Sequence, residues 1–431
     1  MRSKLTLALG TSSLLALVLG AAMPASADLQ PNPSDVVGVG SDTVQYVGDF
    51  LDNGASTGTT FLSGFNSTAR VNKIFNFDAT ADAAGTAQYG AAGRPVPPAS
   101  VVPYSSAIVL RAGGFPVYRP QGSGDGIKTL LNDTVAPYAV DFVRASRLPK
   151  AAENTAATTA GFGGLHSYQI ATDGLDIAVN NVATTGTPTT CSPAVGLTVD
   201  NLLKIYQGAY QVFSDIPGYQ SPGGNCNTET IALLTPDEIK SGTGSAFFGD
   251  LKIQNGGVAP TRSSRVTLVE EHDPSAITGI TAITTTAATT TSPAVTAPVA
   301  ARDAVEPFST GRYNLIQTGY FDNVQKYNKG TVVTFKNTIA LQQAGSNAVA
   351  TTSYGKARFL YIVVRENDIT KGETAGVAGT TAPFLPGGTQ NFVRTFFAPT
   401  TGYYSKPAQA GLFTAAGVTQ AFSDLGNTTA G

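Results

Sequence analysis

The chain has 431 residues, 42% of them hydrophobic, and 27 Lys+Arg against 29 Asp+Glu. That is enough apolar material for a real core, while charged residues make up only 13% of the chain, about half the usual share. A charge-poor, mildly acidic chain argues against nucleic acid as a partner and offers no polybasic stretch for anionic lipid.

The first 27 residues have the parts of a cleavable secretory leader. Arg2 and Lys4 give a positive start, Leu5 to Leu19 a mostly apolar stretch, and Ala25-Ser26-Ala27 a small-residue cut site before Asp28. Losing Arg2 and Lys4 takes the formal charge from −2 to −4. Cys is absent near the cut, so the leader is not of the lipoprotein type, and the mature chain is expected to be secreted, or periplasmic if the cell has an outer membrane. No stable membrane insertion is expected after cleavage. Cys191 and Cys226 are the two cysteines. In an oxidising compartment the simplest reading is one disulfide closing a loop of about 36 residues. A site made of these with His166 and His272 fits no zinc spacing, so no metal or cofactor is expected.

Strand-like and helix-like segments alternate along the chain. Val36 to Gly40 is a short apolar run, followed by Val44, Val47 and Leu51 at helical spacing. Val117 and Tyr118 lead through a Gly-rich turn to Ile127, Leu130 and Leu131. Leu175 to Val179 reads as a buried strand. Thr198 caps a helix carrying Leu202, Leu203, Ile205 and Tyr206, and Gly208 stops it. Phe359 to Val364 is a further strand. This alternation predicts an α/β fold. Ala276 to Ala301, rich in Thr and Ala and uncharged, is expected to be a long surface excursion, with Ala151 to Ala160 a shorter one.

One kind of junction occurs three times: Val36 to Thr43, Tyr118 to Gly126, and Lys240 to Ser245. In each, glycines allow a tight turn and hydroxyls add donors. A helix then begins with free N–H groups at the positive end of its dipole, which suits an anion. The same residues are also ordinary helix caps. Gly122 to Thr129 only imitates a nucleotide-binding P-loop, because Ile127 stands where that motif needs Gly. H-E-x-x-H is absent from the sequence. Glu270-Glu271-His272-Asp273 is read as surface, since sequence neighbours do not face one another, and His166 as a loop residue.

At these junctions the chain resembles the phosphate-binding proteins of ABC transporters, of the type 2 periplasmic-binding-protein class, in their actinobacterial form. Gly38 to Thr43 is similar to the family's first binding loop and Gln121 to Gly126 to its second. Asp141 to Arg147 resembles the strand and turn bringing a third contact. Leu197 to Gly208 looks like its Ile-Tyr-x-Gly helix, and Ser241-Gly242-Thr243 like its Ser-Gly-Thr. The resemblance implies a two-lobed fold, each lobe a mixed sheet flanked by helices, with crossings near Val179-Asn180-Asn181 and Glu306-Pro307-Phe308-Ser309. Lobe I is then 28–179 plus 309–431, and lobe II is 180–308 with the Thr/Ala-rich excursion at 276–301. The implied ligand set is Ser41, Asp42, Thr43, Ser123, Gly124, Asp125, Ser146, Arg147, Ser241, Gly242 and Thr243. Two positions depart from the family pattern: Arg147 stands where an Asp is expected, and Asp237 where an Arg is expected. Arg147, with Arg144 as a second candidate, is expected to neutralise the anion, and Asp42 or Asp125 to accept a phosphate proton or simply to cap a helix. The implied function is that of a monomer capturing a small anion, phosphate first, for an ABC permease. The alternatives are a surface or matrix binding protein with another ligand, and a secreted phosphoester hydrolase.

Overall fold

The computed structural model describes residues 31–32, 34–57, 60–68, 73–79, 107–135, 138–180, 196–218, 230–269, 271–272, 274–278, 283–286, 295–297, 303–320, 339–342, 353–370 and 392–430. The leader, both cysteines and most of the Thr/Ala-rich tract lie outside them, and so does the expected disulfide. Within that tract Ile283–Thr286 pairs antiparallel with Val295–Ala297. None of the described helices is long and apolar enough to cross a membrane.

Ten strands form one mixed sheet. In chain order they are β1 (Val36–Gly40), β2 (Ile74–Asn76), β3 (Phe142–Ala145), β4 (Leu165–Asn180), β5 (Ala232–Thr235), β6 (Val266–Leu268), β7 (Ala304–Ser309), β8 (Ala340–Leu341), β9 (Lys356–Arg365) and β10 (Thr419–Asp424). The spatial order is β6-β5-β7-β4-β9-β3-β1-β2, with β8 and β10 also pairing with β4. At each end the strands are parallel, β1 with β2 and β3, and β5 with β6 and β7. Every pairing of β4 is antiparallel.

The buried side chains follow from these strands. β1 is buried on both faces, as a strand in a parallel set should be. Val37, Val39 and Val143 face Ile127 and Leu130 of helix α2 (Ser123–Asn132), whose label follows α1 (Gln45–Asn53). Val36 and Phe142 face the opposite way, toward Phe50, Phe397 and Tyr404. At the far end Leu175, Ile177 and Val179 of β4 pack with helices α4 (Val199–Gln207) and α5 (Gly242–Gln254), through Leu202, Tyr206, Phe247 and Leu251. The expected helix stops are present: Thr198 Oγ1 accepts from Asn201 N–H at 3.1 Å, and Gly208 is left-handed. Two expectations are corrected. Ala151–Thr159 is a helix, α3, rather than an irregular excursion. His166 lies in β4 rather than in a loop, with Nδ1 3.0 Å from Glu366 Oε2 and Nε2 2.7 Å from Asp424 Oδ1.

A buried polar network fixes the ends of β1 and β3, which lead into Ser41 and Ser146. Arg144 is fully buried and donates from Nη1 to Asn76 Oδ1 at 2.9 Å and from Nη2 to the Phe77 carbonyl at 2.5 Å. Its charge is therefore directed into the core, away from the role of anion partner expected from the sequence. Asp52 accepts from Tyr404 Oη at 2.8 Å and from the Asn76 amide. Burial pushes Asp52 up to about 8, against the pull of Tyr404, Asn76 and Arg144. In the unfolded chain Asp52 ionises near 3.8, so between these values the folded state holds a proton that the unfolded state has lost. Stability from this group is thus full below pH 3.8 and falls as pH rises toward 8. Asp52→Asn should remove that slope, about 1.4 kcal/mol per pH unit. Urea unfolding at pH 5, 6.5 and 8 should show the variant gaining on the wild type as pH rises; a pH-independent difference would refute the assignment.

Candidate functional site

The three junctions meet. β1 runs through Gly40, whose φ of +119° and closeness to the Arg144 carbonyl (2.4 Å from an added Cβ) leave room only for Gly. Ser41 follows, its N–H donating to that same carbonyl at 2.9 Å. Its hydroxyl donates to Ser146 Oγ at 3.2 Å, across 105 residues of chain. Ser146 in turn reaches Ser123, the first residue of α2: its N–H donates to Ser123 Oγ at 2.9 Å, and the two hydroxyls lie 3.3 Å apart. Thr43 Oγ1 lies 3.3 Å from Thr243 Oγ1 in the first turn of α5. The backbones touch as well, since Gly124 N–H donates to the Lys240 carbonyl at 2.9 Å. Gly242 abuts Ser146 so closely that an added Cβ would sit 2.1 Å from its Oγ. All five of these hydroxyl-bearing residues are buried.

The charged groups lie elsewhere than the sequence suggests. Arg147 flanks Gly124, but its guanidinium is matched by Glu153 in a bidentate pair at 2.7 and 2.9 Å. Asp125 is half buried and lines a cavity of about 480 Å³ with Tyr118, Lys128 and Lys240; burial raises its pKa and Lys240 opposes the rise. Asp237 shapes its own turn, its carboxylate accepting from Ile239 N–H and its carbonyl from Ser241 N–H. Asp42 is buried with Arg312 of helix α6 (Thr310–Gln317), Oδ2 to Nη2 2.9 Å.

Three residues beside the hydroxyls were not among those expected there. Arg358 of β9 donates from Nη1 to Thr243 Oγ1 at 2.5 Å, while its Nε and Nη2 face Asp173 Oδ2 at 2.9 and 2.8 Å. Glu271 and His272 correct the surface reading, with only 4% and 0% of their area exposed. Glu271 Oε1 accepts from Ser241 Oγ at 2.8 Å and from Thr243 N–H at 3.3 Å, and Oε2 has no partner. Burial pushes the Glu271 carboxyl above its ordinary value and Asp42 adds to the rise, while Thr243, Arg358 and Ser241 hold it back. His272 has φ +62°, an unusual conformation for this residue type, and its Nε2 lies 3.0 Å from Thr43 Oγ1.

Asp42, Glu271 and His272 bring their ligand atoms within 4.8 Å of one another, a grouping that could suit a cation. The histidine's hydrogen bonds point the other way. Nδ1 accepts Ser309 N–H at 3.2 Å, so in the neutral ring the proton sits on Nε2, the nitrogen that faces the cluster. A metal-bound imidazole instead donates through its outer nitrogen. His272 is therefore a donor to this site, and the chemistry is that of hydrogen bonding to an oxyanion or a hydroxyl.

A family model described as the PBP superfamily domain matches residues 106–382. Among solved structures the chain is similar to a possible phosphate binding protein from Planctomyces limnophilus DSM 3776, at 15% identity over 90% of this chain and 92% of that one, with TM-score 0.37. It is also similar to a phosphate binding protein from Stenotrophomonas maltophilia, at 15% identity over 90% and 99%, TM-score 0.38. A third is PstS from Borrelia burgdorferi, at 12% identity over 90% and 98%, TM-score 0.34. A search of curated proteins finds no match. The family model spans well over half of the sequence, so the chain belongs to the PBP superfamily, with the mixed α/β fold of its type 2 binding proteins.

The junction contact has a direct test. Gly242→Ala should destabilise the protein by about 1–3 kcal/mol, the usual cost of overpacking. Ser146→Ala in the same chain should recover part of the loss. Urea denaturation measures both, and a Gly242→Ala protein as stable as the wild type would mean that the start of α5 does not touch the turn after β3.

Proposed function

We propose, taking membership of the PBP superfamily as the premise, that the chain is an exported solute-binding protein that captures a small oxyanion, phosphate first. The observation that carries this reading is the convergence of Ser41, Thr43, Ser123, Ser241, Gly242 and Thr243 from the three junctions, with Ser146 from the turn after β3. An oxyanion entering there exchanges their mutual hydrogen bonds for its own. It also meets the first turns of α2 and α5, whose dipoles favour negative charge.

The guanidinium that reaches the hydroxyls in this reading is Arg358 rather than Arg147: its Nη1 donates to Thr243 while its charge is shared with Asp173, and Arg147 is turned to Glu153. Lobe I is assigned to 28–179 plus 309–431 and lobe II to 180–308. Opening and closing about β4 and β7 then admits and encloses the ligand, and binding selects the closed arrangement. Residues 1–27 direct export, and an ABC permease is the proposed recipient. Binding is non-covalent, and no residue is assigned a catalytic role.

Calorimetric titration with phosphate and with sulfate at low salt tests this. Phosphate should bind, and Thr43→Val or Ser241→Ala should weaken it by about tenfold or more, as a lost hydrogen bond to a charged group would. Unchanged affinity in both variants removes these hydroxyls from the site. Absence of heat and of thermal shift with either anion sinks the oxyanion reading.

A further inference from the structure

The strongest donors at the start of α5 already serve an anionic group of the chain itself. Ser241 caps α5 by accepting Gly244 N–H at 3.0 Å and turns its own proton to Glu271 Oε1 at 2.8 Å. Thr243 N–H, one of the few first-turn donors not used within the helix, faces the same oxygen at 3.3 Å. These are the donors that the resemblance assigns to an oxyanion. The second oxygen of Glu271 is buried without a partner, which is costly for an ionised carboxylate.

We propose that Glu271 stands in for the ligand: its carboxylate holds the oxyanion position at the start of α5, and an oxyanion binds there only as Glu271 takes up a proton. This inference rests on the oxyanion reading above. Protonation removes the competing charge and makes the carboxyl a donor, with Oε2 free to present its hydrogen to the incoming oxygen. The proton comes from solvent.

The charges around Glu271 favour that exchange. Arg358 is shared with Asp173, and Asp42 is paired with Arg312, so both arginines are already balanced. His272 lies 3.8 Å away through Nε2, and its Nδ1 is taken by Ser309 N–H. An ionised Glu271 would therefore leave the cluster with an excess negative charge facing the ligand. Burial and Asp42 already raise its proton affinity, and a second anion raises it further.

The test is calorimetry of phosphate binding by the wild type and by Glu271→Gln at pH 6, 7 and 8, each in two buffers of different ionisation enthalpy. Phosphate's own titration cancels in the ratio of the two Kd values. That ratio should rise with pH in favour of Glu271→Gln, approaching about tenfold per pH unit, the signature of one linked proton. The wild type should take up about one more proton per phosphate than the variant. Glu271→Ala should lose the same pH dependence, which covers the case of a poorly folded Gln variant. A ratio flat in pH with equal proton counts overturns it and leaves the oxyanion reading standing, as does loss of binding in both variants while the wild type binds. No binding by any of the three proteins overturns the oxyanion reading itself.

Discussion

The arrangement depends on one buried ion pair on one long strand. β4 runs for 16 residues and pairs with β9 through its first part and with β7 through its last. In that register Arg358 lies opposite Asp173. The Asp173 carboxylate accepts from Arg358, from Ser309 Oγ at 2.8 Å and from Gly311 N–H at 2.9 Å, so it also anchors the start of α6. Two charges withdrawn from water are tolerated only when geometry and further hydrogen bonds compensate them. Here the compensation ties three segments together, β4, β9 and residues 309–311, and each is thereby fixed with respect to the others. Thr243, held by the far end of the same guanidinium, is located by this pair.

From that anchor the hydroxyls follow by short backbone connections. Ser241 caps α5 and Thr243 sits in its first turn; the close approach of Gly242 to Ser146 brings the turn after β3 onto it, and Gly124 N–H to the Lys240 carbonyl brings the second junction. Ser146 follows β3 directly, and β3 is in parallel register with β1, whose end carries Ser41. The donors are thus set by strand ends and helix starts rather than by long loops. Such placement keeps them oriented before a ligand arrives, which reduces the ordering entropy that binding would otherwise require.

The parts of this that were legible in the sequence are the local ones. A run such as Val36 to Gly40 buries both faces and so reads as apolar throughout. Thr198 and Gly208 signal helix ends through their own hydrogen bonding and conformation. The three junctions announced themselves by Gly and hydroxyl content. The charged members of the site gave no such sign. Arg358 lies just before the apolar run Phe359 to Val364 that reads as a strand, and its partner Asp173 is 185 positions away. His272 meets Thr43 across 229 positions, so its burial could not be inferred from neighbouring acids. Arg147 looked available because its partner Glu153 belongs to α3, a segment whose Ala and Thr content suggested irregular structure. Long-range pairing decides which charges are spent and which remain, and sequence spacing does not carry it.

That distinction bears on how the site can select. An anion pocket built on surplus arginine attracts any anion and is weakened by salt. In this chain Arg312, Arg358 and Arg147 each face a carboxylate, and Arg144 is enclosed among polar core groups. Attraction therefore has to come from oriented dipoles: hydroxyls, the N–H of His272 and the first turns of α2 and α5. Dipoles of fixed direction discriminate by geometry and by proton content, since each ligand oxygen must match a donor or an acceptor. A carboxyl in the middle of such a set, Glu271, adds one position whose character depends on its proton. The site is then tuned less by how much positive charge it holds than by where its protons lie.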